Sequence, residues 1–389
     1  MVFPRLPIFC LIDARPPAHT SKLTIVAIDA RFAVGERRGI GKGSLELLRS
    51  LVQLDAPLSY ELLVDREPGA LIEARENWKW KRLQPAAYPV WEQIALPRYV
   101  RSQAPAVLHS TGNTGPIALS RAGPTQFLLT VHDLIFLETR RLRSWRQRLG
   151  RLYRRAIVPA ALRRASWIIV DADSTRQQLV DRYPSVANRI SVIGIPIAER
   201  YFTYRPAARA AQPPTFIAFG GIDPRKNVDR ILRAFATVRA TQPSTELVLI
   251  GTQGQLEAAP AGVRVRRYIA EDELLELYAS ASGLVYPSLS EGFGVPILEA
   301  AALGLPVITS DRDPMRELAG DGTILVDPEN TDAIAAAMTM LLGNQEQYRR
   351  RAAEAKRRVE AFRPRRVAEQ VAELYLRLAG VRPAGTVAG

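Results

Sequence analysis

The sequence predicts an α/β protein made of two doubly wound, parallel-sheet halves that face each other across a cleft. Three observations predict it. Short apolar, β-branched runs alternate with segments of helical period along almost the whole chain, the signature of parallel strands joined by crossover helices. The alternation restarts once, after the Pro- and Ala-rich stretch TYRPAARAAQPP at 203–214, which reads as a linker. A chain of 389 residues, at roughly 100–200 residues per domain, makes two domains.

In the first half, strands are expected at 23–30 (LTIVAIDA), 60–64 (YELLV), 106–109 (AVLH), 126–131 (QFLLTV) and 167–170 (WIIV). Each is a nearly continuous apolar run, as a strand covered on both faces should be. Helices are expected from Ser44, Ser144 and Ser174, residues whose hydroxyl suits a helix N-cap. In the second half, strands are expected at 215–219, 246–250, 283–286 and 306–309, with helices starting near Asn227, Glu271, Val295 and Thr331. The domain limits read 22–200 and 214–363, preceded by a tail at 1–21. The apolar patch at 6–12 in that tail is interrupted by Pro7, preceded by one arginine, Arg5, and followed by no small-residue cleavage site, so it does not read as a signal peptide.

Composition narrows the function. Hydrophobic residues make up 47% and charged residues 24%, which excludes a disordered chain and a disulfide-stapled miniprotein. The lone Cys10 has no partner for a bridge, removes any cysteine-based metal site, and fits a reducing, cytoplasmic compartment. No run approaches the roughly 18 apolar residues of a membrane span. Lys and Arg outnumber Asp and Glu by 53 to 39, so polyanions suit this chain: nucleic acid, an acidic membrane or a phosphorylated substrate. Ten arginines lie within 140–164, where Trp145, Leu149, Leu152, Tyr153 and Ala156 recur at helical spacing. That stripe is explained either by packing on a sheet, with a solvated basic face, or by an anionic membrane surface. Nucleic acid is not expected as a partner, because neither zinc-finger spacing nor an aromatic RNA-binding strand is present.

Four loops at the carboxyl ends of expected strands carry candidate chemistry. In FGGIDPRKN, Gly220 and Gly221 follow a strand, and Arg225 and Lys226 precede a helix, an arrangement that suits a phosphate or pyrophosphate. In SEGFGVPILEAAALGLPVITSD, Glu291 stands at a loop tip and Glu299 about one turn into the following helix. A carboxylate accepts two hydroxyls at once, so Glu299 suits a ribose or sugar diol, and the N–H groups of Phe293, Gly294 and Val295 suit phosphate or sugar oxygens. In TVHDLIFL, His132 and Asp133 end a strand facing the same cleft. In RFAVGERRGIGKGS, Gly39 and Gly41 form an anion nest that matches neither common nucleotide fingerprint, since Glu36 stands where a phosphate loop needs glycine. Two D-x-D strings, Asp171/Asp173 and Asp311/Asp313, read as cap and loop residues, and no metal site or cofactor is expected.

Taken together, these motifs resemble the retaining glycosyltransferases of family 4, the glycosyltransferase group 1 proteins of the GT-B fold, most closely those of bacterial surface-polysaccharide synthesis. The most specific stretches are GxxxPRKN, EGFGVPILEAAALGLPVITS with its E-x7-E pair, and AGDGTILVDPEN. The resemblance implies two Rossmann-like domains, with a last helix at 364–380 crossing back to the first. It implies that Arg225 and Lys226 neutralise a donor diphosphate, Glu291 contacts the transferred sugar, Glu299 holds the ribose and His132 reaches the sugar from the acceptor side. Gly39 and Gly41 would approach the diphosphate, and Tyr268 and Ile269 would face the base. The implied reaction moves a hexose, mannose favoured, from a GDP- or UDP-linked donor to a glycan or lipid-linked acceptor, at or near the inner membrane face and without metal. A nucleotide-sugar epimerase and a silent scaffold of the same fold are the alternatives. The chain departs from the family pattern at Lys42-Gly43, where an aromatic residue is usual, and at Gly194-Ile195-Pro196-Ile197, where Asn-Gly is usual.

Overall fold

In a computed structural model, the described residues are 23–381 except 36–38, 86, 138–144, 206–212, 222, 252–258 and 321–322. The expected tail, most of the linker, Glu36 and the Ser144 helix start therefore lie outside the described residues.

Seven parallel strands form the first sheet: β1 (Thr24–Asp29), β2 (Leu58–Val64), β3 (Trp78–Arg82), β4 (Val107–Ser110), β5 (Gln126–Val131), β6 (Trp167–Val170) and β7 (Ile190–Val192), in the order β3-β2-β1-β4-β5-β6-β7. Six form the second: β8 (Thr215–Phe219), β9 (Glu246–Ile250), β10 (Val263–Arg266), β11 (Gly283–Tyr286), β12 (Val307–Ser310) and β13 (Thr323–Val326), in the order β10-β9-β8-β11-β12-β13. Each order reverses once, between β1 and β4 and between β8 and β11. Open α/β sheets bind ligands at such a reversal, beyond the carboxyl ends of the strands.

Period-2 patterning puts a core on each face of each sheet. Val26 and Ile28 of β1 enter one cluster while Ala27 enters another, and Ile217 of β8 parts from Phe216 and Ala218 in the same way. The helix Pro364–Leu378 buries Val367, Val371 and Tyr375 in the core of the first sheet, against Leu45 and Leu48 of the helix Ile40–Leu51.

Three expectations change. The first helix begins at Ile40, not Ser44, because Gly39 with φ of 41° turns the chain into it and the interior glycines mask the start. The strands β3, β7, β10 and β13, which form all four sheet edges, were not expected. The basic stripe does not pack on the sheet. Among the described side chains of the helix Trp145–Arg164 the buried ones are Val158, Ala161 and Leu162, whereas Trp145, Leu149 and Leu152 are 66%, 55% and 65% exposed. At 3.6 residues per turn the two sets lie on opposite faces.

Candidate active site

The second sheet builds one wall of the cleft from the loops after β8 and β11. Asp223 accepts a hydrogen bond from the Arg225 amide at 3.0 Å, capping a short 3-10 turn, Pro224–Lys226. Its other oxygen accepts from Arg225 Nε at 2.8 Å. Burial disfavours the Arg225 charge, but Asp223 outweighs it and raises the pKa. Asn227 then adopts φ of 57°, and its buried amide donates to the carbonyls of Pro287 at 2.9 Å and Pro328 at 2.6 Å. The Leu289 amide donates to the Arg225 carbonyl at 2.8 Å, so the two loops are fastened together.

That fastening sets Lys226 beside Glu291. Lys226 Nζ donates to Glu291 Oε1 at 2.7 Å and to the Tyr286 hydroxyl at 2.8 Å, and it sits 4.8 Å from the Tyr286 ring centroid. The side chains remain 23% and 11% exposed, so the pair borders solvent and an incoming anion can reach the ammonium. Gly294 turns the chain into the helix Val295–Ala302 with φ of 125°, and a Cβ there would stand 3.1 Å from Leu318 Cδ1. The opening N–H groups of that helix have no partner within it. Glu299 is buried farther along and accepts from the Tyr278 hydroxyl at 3.1 Å. Burial pushes its pKa up to about 7, against the opposing pull of Lys42.

The first sheet builds the other wall. His132, just past β5, places Nδ1 2.6 Å from Asp171 Oδ2 and Nε2 2.9 Å from the Thr111 carbonyl. A carboxylate and a carbonyl only accept, so both ring nitrogens donate and the imidazole is cationic. Burial opposes that charge, but the Asp171 carboxylate and the Thr111 carbonyl prevail and hold the pKa at about 9. His109 lies behind it, 2.6 Å from the Tyr375 hydroxyl and 2.7 Å from Thr130 Oγ1, and burial pushes its pKa down to about 3, with the charge of His132 adding to the effect. Asp133 reaches across the cleft: a Cβ on Gly292 would stand 3.1 Å from Asp133 Oδ2, so the glycine permits the approach.

Two family models meet this architecture. Residues 38–198 match the model "Glycosyltransferase Family 4" and residues 203–358 match "Glycosyl transferases group 1". The chain belongs to glycosyltransferase family 4. Among curated relatives, the O-antigen chain mannosyltransferase B of Escherichia coli is 29% identical over 191 residues, 44% of this chain and 50% of that protein. The D-inositol 3-phosphate glycosyltransferase of Rhodococcus jostii is 31% identical over 235 residues, 54% of this chain and 52% of that protein. The chain thus spans about half the length of these relatives. Solved GT-B structures superpose more fully. Sucrose-phosphate synthase from Thermosynechococcus elongatus gives a TM-score of 0.72 at 20% identity, covering 92% of this chain and 99% of that one. Anabaena HepE in complex with UDP and glucose gives 0.66 at 16% identity, covering 90% and 99%.

In this family 4 chain the structure brings Lys226 and Glu291 into contact, sets Arg225 beside them, and puts Glu299 in a separate buried position. Gly39 caps the first helix, and Gly41 is buried in its first turn. Gly221 follows β8 and precedes the capped turn, where a Cβ on it would stand 3.9 Å from Lys226 Cγ. Phe293 is buried with its ring 5.9 Å from Phe362, and Val295 opens the helix that carries Glu299. Ile269 packs on the core of the second sheet, whereas Tyr268 is 82% exposed. His132 has both nitrogens engaged within its own half.

Tyr286 and Tyr278 escaped the sequence reading, and two residues were read otherwise: Asp171 as part of a helix-cap string and Lys42 as a departure from the family pattern. Tyr286 ends β11 and Asp171 directly follows β6, so a position at a strand's carboxyl end was the available signal for both. Lys42 lies 3.6 Å from Glu271 of the opposite half, at one of the two departures from the family pattern. The two departures touch, since a Cβ on Gly43 would collide with the Ile195 side chain. Both D-x-D strings are engaged elsewhere: Asp171 by His132, Asp173 by Arg176 at 2.9 Å, and Asp311 and Asp313 by Arg316 at 3.4 and 2.7 Å.

Proposed function

We propose that the chain transfers a hexose from a nucleotide-diphosphate sugar to an acceptor hydroxyl, with retention and without a bound metal. The observation that carries this is the Lys226 ammonium held between Glu291 and Tyr286, beside Arg225, at the strand reversal of the second sheet. As the bond from the anomeric carbon to the phosphate oxygen breaks, negative charge grows on the diphosphate. Fixed cations stabilise that charge most where water is excluded. The departing phosphate oxygen takes the proton of the acceptor hydroxyl, which attacks on the same face, so no nucleophile and acid pair of the glycosidase kind is needed. Glu291 then contacts the transferred sugar, and Glu299, once ionised, accepts the ribose hydroxyls. Mannose is the favoured sugar, in keeping with the mannosyltransferase named among the relatives, and a GDP- or UDP-linked donor fits the cations of the wall.

Thermal shift against GDP-mannose, UDP-glucose, UDP-N-acetylglucosamine, GDP and UDP, each with and without EDTA, tests this. A ligand at 100 times its Kd stabilises by about 2.7 kcal/mol. A shift for one base, unchanged by EDTA, is expected. No shift for any nucleotide would favour the silent scaffold, and a shift abolished by EDTA would remove metal independence.

A second reading concerns place. We propose that the helix Trp145–Arg164 rests on an anionic membrane at the cytoplasmic face, because Trp145, Leu149 and Leu152 stand exposed beside the exposed Arg148 and Arg154. Tyr153 links this face to Tyr88, Val90 and Ile94, which are also exposed: the Tyr88 and Tyr153 rings lie 5.8 Å apart. No helix among the described residues is long and apolar enough to cross a membrane. Co-sedimentation with anionic vesicles but not neutral ones at low salt is expected, and equal behaviour with both removes the reading.

A further inference from the structure

The two halves flank an open pocket of about 510 Å3 next to the candidate active site. Leu134 and Ile135, after β5, and Thr175 and Gln178, on the helix Asp173–Arg182, line it from the first half, and Glu291 and Pro314 line it from the second. Glu291 thus borders the cavity while its Oε1 holds Lys226. The size suits a small organic ligand. The lining is two-sided: Leu134, Ile135 and Pro314 offer apolar surface, and Thr175, Gln178 and the carboxylates offer hydrogen-bonding groups. A pyranose ring has the same two sides, C–H faces and a rim of hydroxyls, and carboxylates accept from hydroxyls.

Charge narrows the class further. Among the described lining residues, the carboxylates of Asp133, Asp181, Glu291 and Asp313 face one cation, Arg182. Adding the cations that act on them, Lys226 and Arg225 at Glu291 and Arg316 at Asp313, gives four carboxylates against four cations, with no net positive charge to favour a phosphate.

The two walls are clasped. Glu317, four residues past Asp313, accepts from the Asp173 amide at 2.7 Å through Oε1 and from the Ser174 amide at 2.9 Å through Oε2. A carboxylate from the second half therefore sits on the first amides of a helix in the first half, where the helix dipole favours negative charge.

We propose that this cavity takes the acceptor as the uncharged pyranose end of a glycan, and that Glu317 is the positioning residue that holds the cavity's two walls together. The inference rests on the glycosyl-transfer reading. Saturation-transfer NMR on the full chain tests both. The probes are GDP and UDP for the donor side. For the acceptor side they are the methyl α-glycosides of mannose, glucose and N-acetylglucosamine, an α-linked dimannoside, and D-inositol 3-phosphate. A nucleotide signal together with a neutral-glycoside signal is expected, with inositol 3-phosphate weaker. Gln178→Trp, at an exposed helix position, fills the cavity and should weaken glycoside binding at least tenfold while nucleotide binding is kept. Glu317→Gln should raise the glycoside Kd at least tenfold at unchanged nucleotide Kd, with partial rescue by Glu317→Asp. The proposal is overturned by a nucleotide signal without any glycoside signal, by glycoside binding unchanged in Gln178→Trp, or by preference for inositol 3-phosphate. Loss of the nucleotide signal as well overturns the transfer reading itself, and this inference with it.

Discussion

The two walls of the cleft hold their charges in opposite ways. On the second sheet, Lys226 and Glu291 meet at 2.7 Å on loops at the edge of solvent, where a substrate anion or hydroxyl can replace either partner. On the first, His132 is buried with both nitrogens bound inside its own half, and His109 and Tyr375 extend the chain of contacts behind it. One wall is arranged to exchange partners and the other to keep a charge fixed. Mobile charge and fixed charge should therefore fail differently when removed.

The largest expected effect tests the exchanging wall. Lys226→Ala should lower kcat by about 10²–10³ in a donor turnover assay, with thermal stability near that of the parent, because the lost cation matters chiefly when the diphosphate departs. Undiminished turnover would break the contrast.

Next comes the fixed wall. A His132 pKa of about 9, raised from 6.5, stabilises the fold fully below pH 6.5 and loses that contribution as pH climbs from 6.5 through 9. The contribution is on the order of 3 kcal/mol. His109 acts with the opposite sign: its pKa is pushed down to about 3, so stability falls as pH drops below 6.5. In denaturant unfolding, stability should fall as pH rises from 7 through 9, where His132 alone of these groups loses its contribution, and Asp171→Asn should flatten that alkaline limb. An alkaline limb that persists in Asp171→Asn would mean the charge of His132 is held by something else.

The smallest effect sharpens the exchanging wall of the second sheet. Glu299 is protonated below its pKa of about 7 and cannot then accept both ribose hydroxyls. Donor affinity in the parent should rise about tenfold between pH 6 and pH 8, following the ionised fraction. Isothermal titration at the two pH values checks it, and Glu299→Gln should show no such rise.

Legibility in the sequence followed burial. The nine interior strands are covered on both faces, so they read as apolar runs and were expected within two residues of where they lie. The four edge strands are short and half-exposed, and β3 (WKWKR) and β10 (VRVR) carry a charge at every second residue, which hides them from a search for apolar runs. At the site, motif residues next to glycines and at helix starts were visible. The partners that fix them were not, because Tyr286 and Asp171 belong to neighbouring strand ends brought close by sheet order alone. The exposed stripe on the helix Trp145–Arg164 was visible as a pattern, but its side was not. Periodicity reports that a helix has an apolar face, and the sheet accepted the other one.

The Tyr375 hydroxyl reaches His109 from the last helix, and Val367 and Val371 of the same helix complete the core of the first sheet. Roughly 170 residues separate β7 from that helix. At the usual ribosomal pace of 5–20 residues per second, the first sheet waits about 10–30 s for its final layer. Until then the Leu45 and Leu48 side of that core lacks the layer it has in the finished fold, which gives a chaperone that shields apolar surface its longest opportunity, and a chain stopped before Pro364 is expected to bind such a chaperone more than the full chain does.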